Sequence, residues 1–416
     1  MFLYNFVIHL FYLAMRFAAM FKPKAKLWIN GRSNWEIELN DAIKKFDLKH
    51  AVWMHCASLG EFEQGRPLLQ KIRQENSSRK IVLTFFSPSG YEIQKNFSTV
   101  DYVCYLPLDS VKNSKRFIDA LQPKVAIFVK YEFWLNFLFQ LQIQKIPTFL
   151  ISTVIKKHQP FFKWYGKLFR NALASFHTIY TQDKESLQLL NTLHINTGIL
   201  TGDTRFDRVL DVCQFPKKID SIAHFAEHAF VIIAGSSWQT DETYLIESFL
   251  KLKPNHPQLK LIIAPHEIDL SNIERLKKML VKNEIPFHLF SEQEKVYTHS
   301  VLILNTMGIL SSVYQYGTIA FVGGGFNNGI HNILEPSVFG LPVLFGLNHH
   351  KFNEASDMLA LKAGFEISSE EDLTKQVKVL LNDNVLLDHT AHLAKSYVLN
   401  NSGATNLIYL DLKKQF

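Results

Sequence analysis

TIAFVGGGFNNGIHNILEPSVFGLPVLFG, residues 318–346, is the stretch on which the reading of this chain turns. A β-branched apolar run, 319–322, breaks into Gly323-Gly324-Gly325, passes a short polar turn and enters an expected helix near His331-Asn332. Pro336 fits a first helical turn, where a missing N–H costs nothing, and a second buried-strand pattern follows at 341–345. Strand, glycine turn, helix and strand in this order put a helix N-terminus and its open N–H groups where phosphate binds. Glycine lets backbone approach an anion closely, so Gly324 and Gly325 are candidate nucleotide contacts, and Glu335 could accept from ribose hydroxyls. A tight structural turn is the competing reading, since a glycine cluster alone is weak.

The chain has 416 residues, which makes two domains the default. Hydrophobic residues are 47% of it, enough to fill cores and to exclude global disorder. Net charge is +7 and there are 34 Phe, a combination suited to nucleic acid or to an anionic membrane surface. Three cysteines, Cys56, Cys104 and Cys213, lack any CxxC pair, which argues for a reduced cytoplasmic setting without a zinc site. The 17 His form no HExxH, and His349-His350 reads as loop rather than ligand.

Residues 1–21, MFLYNFVIHLFYLAMRFAAMF, choose between those partners. Asn5, His9 and Arg16 interrupt the run, so it is a poor transmembrane span. Lys22, Lys24, Lys26 and Arg32 follow it, the reverse of a signal peptide, which keeps the bulk of the chain cytoplasmic. A helix lying in the inner-leaflet interface or a short anchor fits, with an apolar helix packed on the domain as the alternative. The partner expected is therefore an inner-leaflet surface and not nucleic acid.

From residue 51 short apolar runs alternate with helix-period segments. Strands are expected at 51–57, 81–86, 102–106, 125–129, 148–151, 178–181 and 197–201, with helices such as 62–74 and 110–121 between them. After a mixed, charged stretch the pattern restarts at 230–234, 259–264, 301–304, 319–322, 342–345 and 364–367. Alternation this regular implies α/β architecture with parallel sheets covered on both faces, and ligands at the carboxyl ends of the strands. Boundaries are expected at 1–32 for the membrane-associating segment, 33–210 and 229–395 for two Rossmann-like domains and 211–228 for a linker. Residues 396–416 are expected as a terminal helix that could pack back on the first domain.

The strand ends supply the chemistry. The first runs into Gly60-Glu61, a carboxylate placed to take a proton from an attacking hydroxyl, with helix N-terminal charge complementation as its structural role. Glu132, among aromatics after 125–129, needs a partner such as a cation or a substrate hydroxyl. Arg205, in TGDTRFD, suits a carboxylate or phosphate, with a salt bridge to Asp207 as the alternative. In the second half the turns Gly235-Ser236-Ser237, Pro265-His266-Glu267 and Asn305-Thr306-Met307-Gly308 form a cradle for a phosphorylated nucleoside. No Asp-x-Asp occurs, which points to catalysis without a divalent ion, and no cofactor is expected.

Two such halves facing a cleft resemble the two-Rossmann GT-B glycosyltransferase architecture. The segments HCASLGEFEQGRPLL, FFSPSGYE, YLPLD, KYEFWLN, TGDTRFD, GSSWQTDE, IIAPHE, LNTMGIL, FVGGGFNNGIHNILEP and NHHKFNEA, in this order, resemble the 3-deoxy-D-manno-octulosonic acid (Kdo) transferase family across nearly the whole chain. The resemblance implies an inverting transferase that moves Kdo from CMP-Kdo to a lipid A precursor at the inner leaflet. It implies Glu61 as general base and Glu132 and Arg205 as transition-state support. It further implies that Pro265, His266, Met307, Gly308, Ile309, Asn332, Ile333, Leu334 and Glu335, beside Ser236 and Ser237, bind CMP. His266 stands where many members have Arg, Ile309 where many have Glu, Lys130 where many have an acid and Arg205 where many have Lys. A sugar-nucleotide epimerase of the same architecture and a non-catalytic membrane scaffold remain the alternatives.

Overall fold

In the computed structural model, which describes residues 1–293 and 296–416, the chain forms two α/β units. The first comprises 1–208 and 402–416, the second 209–401. Seven strands build the first sheet: β1 (Val52–Cys56), β2 (Ile81–Phe85), β3 (Tyr102–Tyr105), β4 (Val125–Val129), β5 (Thr148–Thr153), β6 (Thr178–Thr181) and β7 (Gly198–Leu200). Seven build the second: β8 (Phe230–Ser237), β9 (Leu259–Pro265), β10 (Phe287–Leu289), β11 (Val301–Ile303), β12 (Ile319–Val322), β13 (Val343–Gly346) and β14 (Gly364–Ile367). All pairings are parallel.

The orders are β3-β2-β1-β4-β5-β6-β7 and β10-β11-β9-β8-β12-β13-β14. The growth of the sheet reverses to its other side between β1 and β4 in the first and between β8 and β12 in the second, where β11 also inserts between β9 and β10. In open parallel sheets a ligand crevice opens at such a reversal, beyond the carboxyl ends of the two strands. Every residue of β1, β2, β4, β5 and β6 is buried, as a sheet covered on both faces requires. The strand β10 was not expected: three residues at a sheet edge are too few to show a period.

The stretch 211–228, expected as a linker, carries the end of the helix Thr204–Gln214 and a second helix, Asp220–Ala226. Ile222 and Phe225 of the latter are fully buried in the core of the second unit. At the other end, the helix Ala404–Leu412 joins the first unit. Asp207 accepts from the N–H groups of Gly403 (2.5 Å) and Thr405 (2.7 Å), and Tyr180 donates to Asp411 (2.8 Å).

The helix Phe2–Ala18 docks one side on the first unit. Tyr4 donates to Asp109 (2.5 Å), Asn136 donates to Asn5 (2.9 Å), Ile8 is buried, and Phe11 packs on Trp28 and Phe86. Its other side leaves Phe2, Leu3, Phe6, Leu10, Leu13 and Phe17 exposed. No helix among the described residues is long and apolar enough to cross a membrane.

Candidate active site

The reversal in the first sheet brings two of the expected carboxylates to one place. Glu61 is the third residue of the helix Leu59–Glu75, which begins directly after β1. Its Oε2 accepts from the Ser58 N–H (3.1 Å) and from the Ser58 hydroxyl, a capping arrangement that satisfies the helix start. The structural role is thus real, yet it occupies one oxygen only. Glu132 follows β4, past Lys130, whose φ of +67° turns the chain sharply. Its Oε2 accepts from the Trp134 indole (2.6 Å) and lies 3.3 Å from His55 Nε2. The partner foreseen for Glu132 as a cation or a substrate hydroxyl is, in this structure, an imidazole and an indole.

Cys56, at the end of β1, reports how close the carboxylates are. Burial pushes its thiol well above the ordinary range, and Glu61 and then Glu132 push it further. Arg205 sits at the start of the helix Thr204–Gln214, after β7. Thr204 donates to the carbonyl of Gln64 (2.6 Å), which fastens this helix start to the helix carrying Glu61. The guanidinium pairs with Asp203, through Nε (2.7 Å) and a terminal nitrogen (2.7 Å), while Asp207, the alternative partner, anchors the carboxy-terminal helix with its carboxylate.

In the second unit the reversal lies between β8 and β12, and the glycine turn has a packing role there. A side chain at Gly323 would strike Ser236 and Asp241, and one at Gly325 would strike the backbone of Gly346. These glycines allow chain to pack on chain. Gly324, at φ +92°, donates its N–H to Asp241 (2.9 Å). The same Asp241 oxygen accepts from the Trp238 N–H (2.8 Å), and burial raises this carboxyl to about 6. The helix that follows is short, Leu334–Val338, with Pro336 in its third position, so its dipole is smaller than a full helix would bring. Leu334 N–H is taken by the Asn332 side chain (3.1 Å), which also donates to Glu335 (3.1 Å).

Of the other expected contacts, Ser237 is buried and donates to Glu242 (3.1 Å), a carboxylate that Arg275 pairs (2.5 Å). Ser236 holds φ +53° at a bulge in β8. Ile333 and Leu334 are fully buried, so only their backbone can meet a ligand. Met307 is 71% exposed, Gly308 has φ +81° in open space, and Ile309 precedes a one-turn helix, which leaves the 305–309 turn accessible. Pro265 ends β9, and the His266 N–H donates to the Ser237 carbonyl (2.9 Å).

Sequence reading missed a ring cluster here. His266 stacks on Trp238 (4.8 Å) and on His331 (4.3 Å), and the Trp238 indole donates to His331 Nε2 (3.1 Å). Burial and then the neighbouring His266 lower His331 to about 4, so it is neutral at physiological pH. Beside the cluster an open pocket of about 640 Å³ lies between Trp238, Thr240 and Tyr244 on one side and Asn327 and Asn328 on the other. The other residues missed are His55 and Trp134. A histidine inside VWMHC, an otherwise apolar buried strand, was a signal, because a buried polar ring needs partners. Among the described residues no group of three or more His, Cys, Asp or Glu is placed to hold a metal ion.

Residues 16–208 match the family model described as 3-Deoxy-D-manno-octulosonic-acid transferase (kdotransferase). The chain is 31% identical over 339 residues to a 3-deoxy-D-manno-octulosonic acid transferase of Aquifex aeolicus, covering 80% of this chain and 87% of that one. It is 29% identical over 376 residues to the enzyme of the same name from Haemophilus influenzae, covering 88% and 87%. Among solved structures it is similar to UDP-GlcNAc 2-epimerase from Neisseria meningitidis bound to UDP-GlcNAc, at TM-score 0.64 and 16% identity, over 88% of this chain and 100% of that one. At that identity the likeness speaks for the two-sheet architecture alone.

Proposed function

Because this chain belongs to the 3-deoxy-D-manno-octulosonic acid (Kdo) transferase family, glycosyltransferases of lipopolysaccharide biosynthesis, we propose that it moves Kdo from CMP-Kdo to a lipid A precursor of the lipid IVA type. The observation that carries the catalytic reading is the pair of half-engaged carboxylates at the β1/β4 reversal, each with Oε2 bound and Oε1 left over.

In a single displacement, Glu61 takes the proton of the acceptor hydroxyl as its oxygen bonds to the anomeric carbon of Kdo. The bond from that carbon to the cytidylate phosphate breaks, CMP leaves with the electron pair, and the configuration inverts. Glu132 and Arg205 support the charge that develops. No step needs a divalent ion, in keeping with the lack of an Asp-x-Asp motif. In the second unit the backbone of Ser236, Ser237, Pro265, His266, the 307–309 turn, Gly325 and residues 332–335 frames the cytidylate. The Trp238–His266–His331 rings offer it an apolar face. With its N–H committed to Asp241, Gly324 shapes this pocket rather than donating to phosphate.

Mass spectrometry of products formed from CMP-Kdo and a lipid A precursor, with membranes present, tests the reading. A mass gain of Kdo on the lipid is expected. Nucleotide binding with no transfer, or isomerisation of a free nucleotide sugar, would refute it.

The exposed side of the helix Phe2–Ala18, with Lys22, Lys24 and Lys26 after it, supports attachment to the cytoplasmic face of the inner membrane. A paired Phe6→Glu, Leu13→Glu change should release the protein from anionic vesicles in a sedimentation assay. Undiminished binding would put the contact elsewhere.

A further inference from the structure

We propose that His55 is the positioning residue of the Glu132 carboxylate, acting through the Trp134 indole at the end of a hydrogen-bonded chain across the first sheet. This rests on the reading of Glu132 as a site carboxylate. Trp53 and His55 lie two residues apart on β1 and so share a face, and the register sets Thr84 of β2 directly opposite His55. Trp53 Nε1 is 2.9 Å from Thr84 Oγ1, which is 2.9 Å from His55 Nδ1. His55 Nε2 is 3.3 Å from Glu132 Oε2, and Trp134 Nε1 is 2.6 Å from that same oxygen.

An indole N–H only donates, so Thr84 accepts from Trp53 and keeps its own hydrogen to give. Given to the Met54 carbonyl (3.4 Å), it leaves the hydrogen of the neutral ring on Nδ1, donated to Thr84, and Nε2 as an acceptor. The single Trp134 hydrogen is then shared between Glu132 Oε2 and His55 Nε2, 2.9 Å away. The opposite tautomer would set two N–H groups against each other across that 2.9 Å. The first arrangement satisfies every contact and ends a donor on a carboxylate, where hydrogen bonds are strongest.

Simple packing does not account for it. His55 is fully buried in a strand whose other positions are apolar, and an imidazole there costs free energy that an aliphatic side chain would not. What the ring adds is a fixed acceptor for the indole that donates to Oε2. It holds a carboxylate that is only 12% exposed in one orientation, with Oε1 as the oxygen left for substrate.

Two isosteric amides test this in the full chain. Gln carries its amide group to about the place of Nε2, where its oxygen can accept from the indole, whereas Asn reaches only the place of Nδ1. His55→Asn should lose roughly 100-fold in kcat, the scale of a small misplacement at a reacting centre, with the KM for CMP-Kdo nearly unchanged. His55→Gln should stay within about tenfold of wild type. In a Glu132→Gln background neither change should cost anything more, because residues acting as one unit are not additive.

Equal losses in the two amide variants, tracking their melting temperatures, would overturn the proposal. So would a full His55→Asn penalty persisting in the Glu132→Gln background, which would leave Glu132 itself in the site. A Glu132→Gln enzyme at wild-type rate would remove both Glu132 and its positioning chain. Should the His55 variants fail to fold, Trp134→Phe keeps the ring against Phe86 (4.5 Å) and deletes the donor to Glu132. Its rate loss should likewise vanish in the Glu132→Gln background, and a persisting loss counts against the proposal.

Discussion

After β1 and β4 the first unit presents two carboxylates that each have an oxygen to spare. After β8 and β12 the second unit has already committed much of its polar equipment: Asp241 holds Gly324 and Trp238, Glu242 holds Ser237, and Asn332 caps Leu334. The same topological position is thus furnished in two ways. On the proposed reading, the site that moves a proton keeps acceptors half-satisfied, and the site that recognises a nucleotide is prebuilt, with carboxylates holding its loops in shape and rings and backbone left to the ligand. Preorganisation of this kind lowers the cost of ordering a pocket on binding.

Glu61→Gln should break the contrast most completely. Gln still serves as the third residue of a capping box, so the fold should stand, while loss of the base should cost about 10²- to 10⁴-fold in transfer. Product mass spectrometry and nucleotide calorimetry on one preparation would read the two effects, and unchanged turnover would move the base elsewhere. Arg205→Ala should cost on the order of 100-fold in rate through lost charge stabilisation. Its pairing with Asp203 is partly exposed and so contributes little to stability. A lowered melting temperature with an unchanged rate would make Arg205 structural.

The second unit should fail the other way. Gly325→Ala forces a side chain into the Gly346 backbone and should destabilise by about 1–3 kcal/mol. CMP affinity should fall with it in proportion. A variant that loses affinity without losing stability would restore the glycine turn to direct phosphate contact.

The smallest expected effect depends on pH. His331 is lowered from 6.5 to about 4, so the stability from its neutral ring is full above pH 6.5 and is lost as pH falls toward 4. Asp241 in the same unit and Asp109 in the first are raised from 3.8 to about 6. Their contributions run the opposite way, full below 3.8 and lost as pH rises through 6. The acid-side weakening should therefore shrink in His331→Gln relative to wild type, read by Trp238 fluorescence, and identical profiles would remove His331 as its cause.

The elements were legible because parallel strands, buried on both faces, write themselves as apolar runs. Val125–Val129, Thr178–Thr181 and Ile319–Val322 stand where periodicity put them. Sheet order was not legible, since nothing along the chain says that β1 pairs with β4 or β8 with β12, and it is this pairing that sets Glu61 near Glu132. Side-chain partnerships were hidden for the same reason. Arg205 was weighed against Asp207, four positions from Asp203, with which it pairs, because local spacing cannot show that Asp207 is needed by residues almost two hundred positions away. The glycine triplet was read for the ligand it could admit, whereas the strands around it show what it must admit first, another piece of the same chain.

The helix Ala404–Leu412 gives synthesis an order. Residues 402–416 belong to the first unit, yet the whole of 209–401 is translated before they are made. The first sheet can form early, but its cover over Tyr180 and Asp207 arrives late, so the nascent chain carries an open seam for as long as 209–401 is being made. Shortening the chain by those residues should injure the lobe that was translated first.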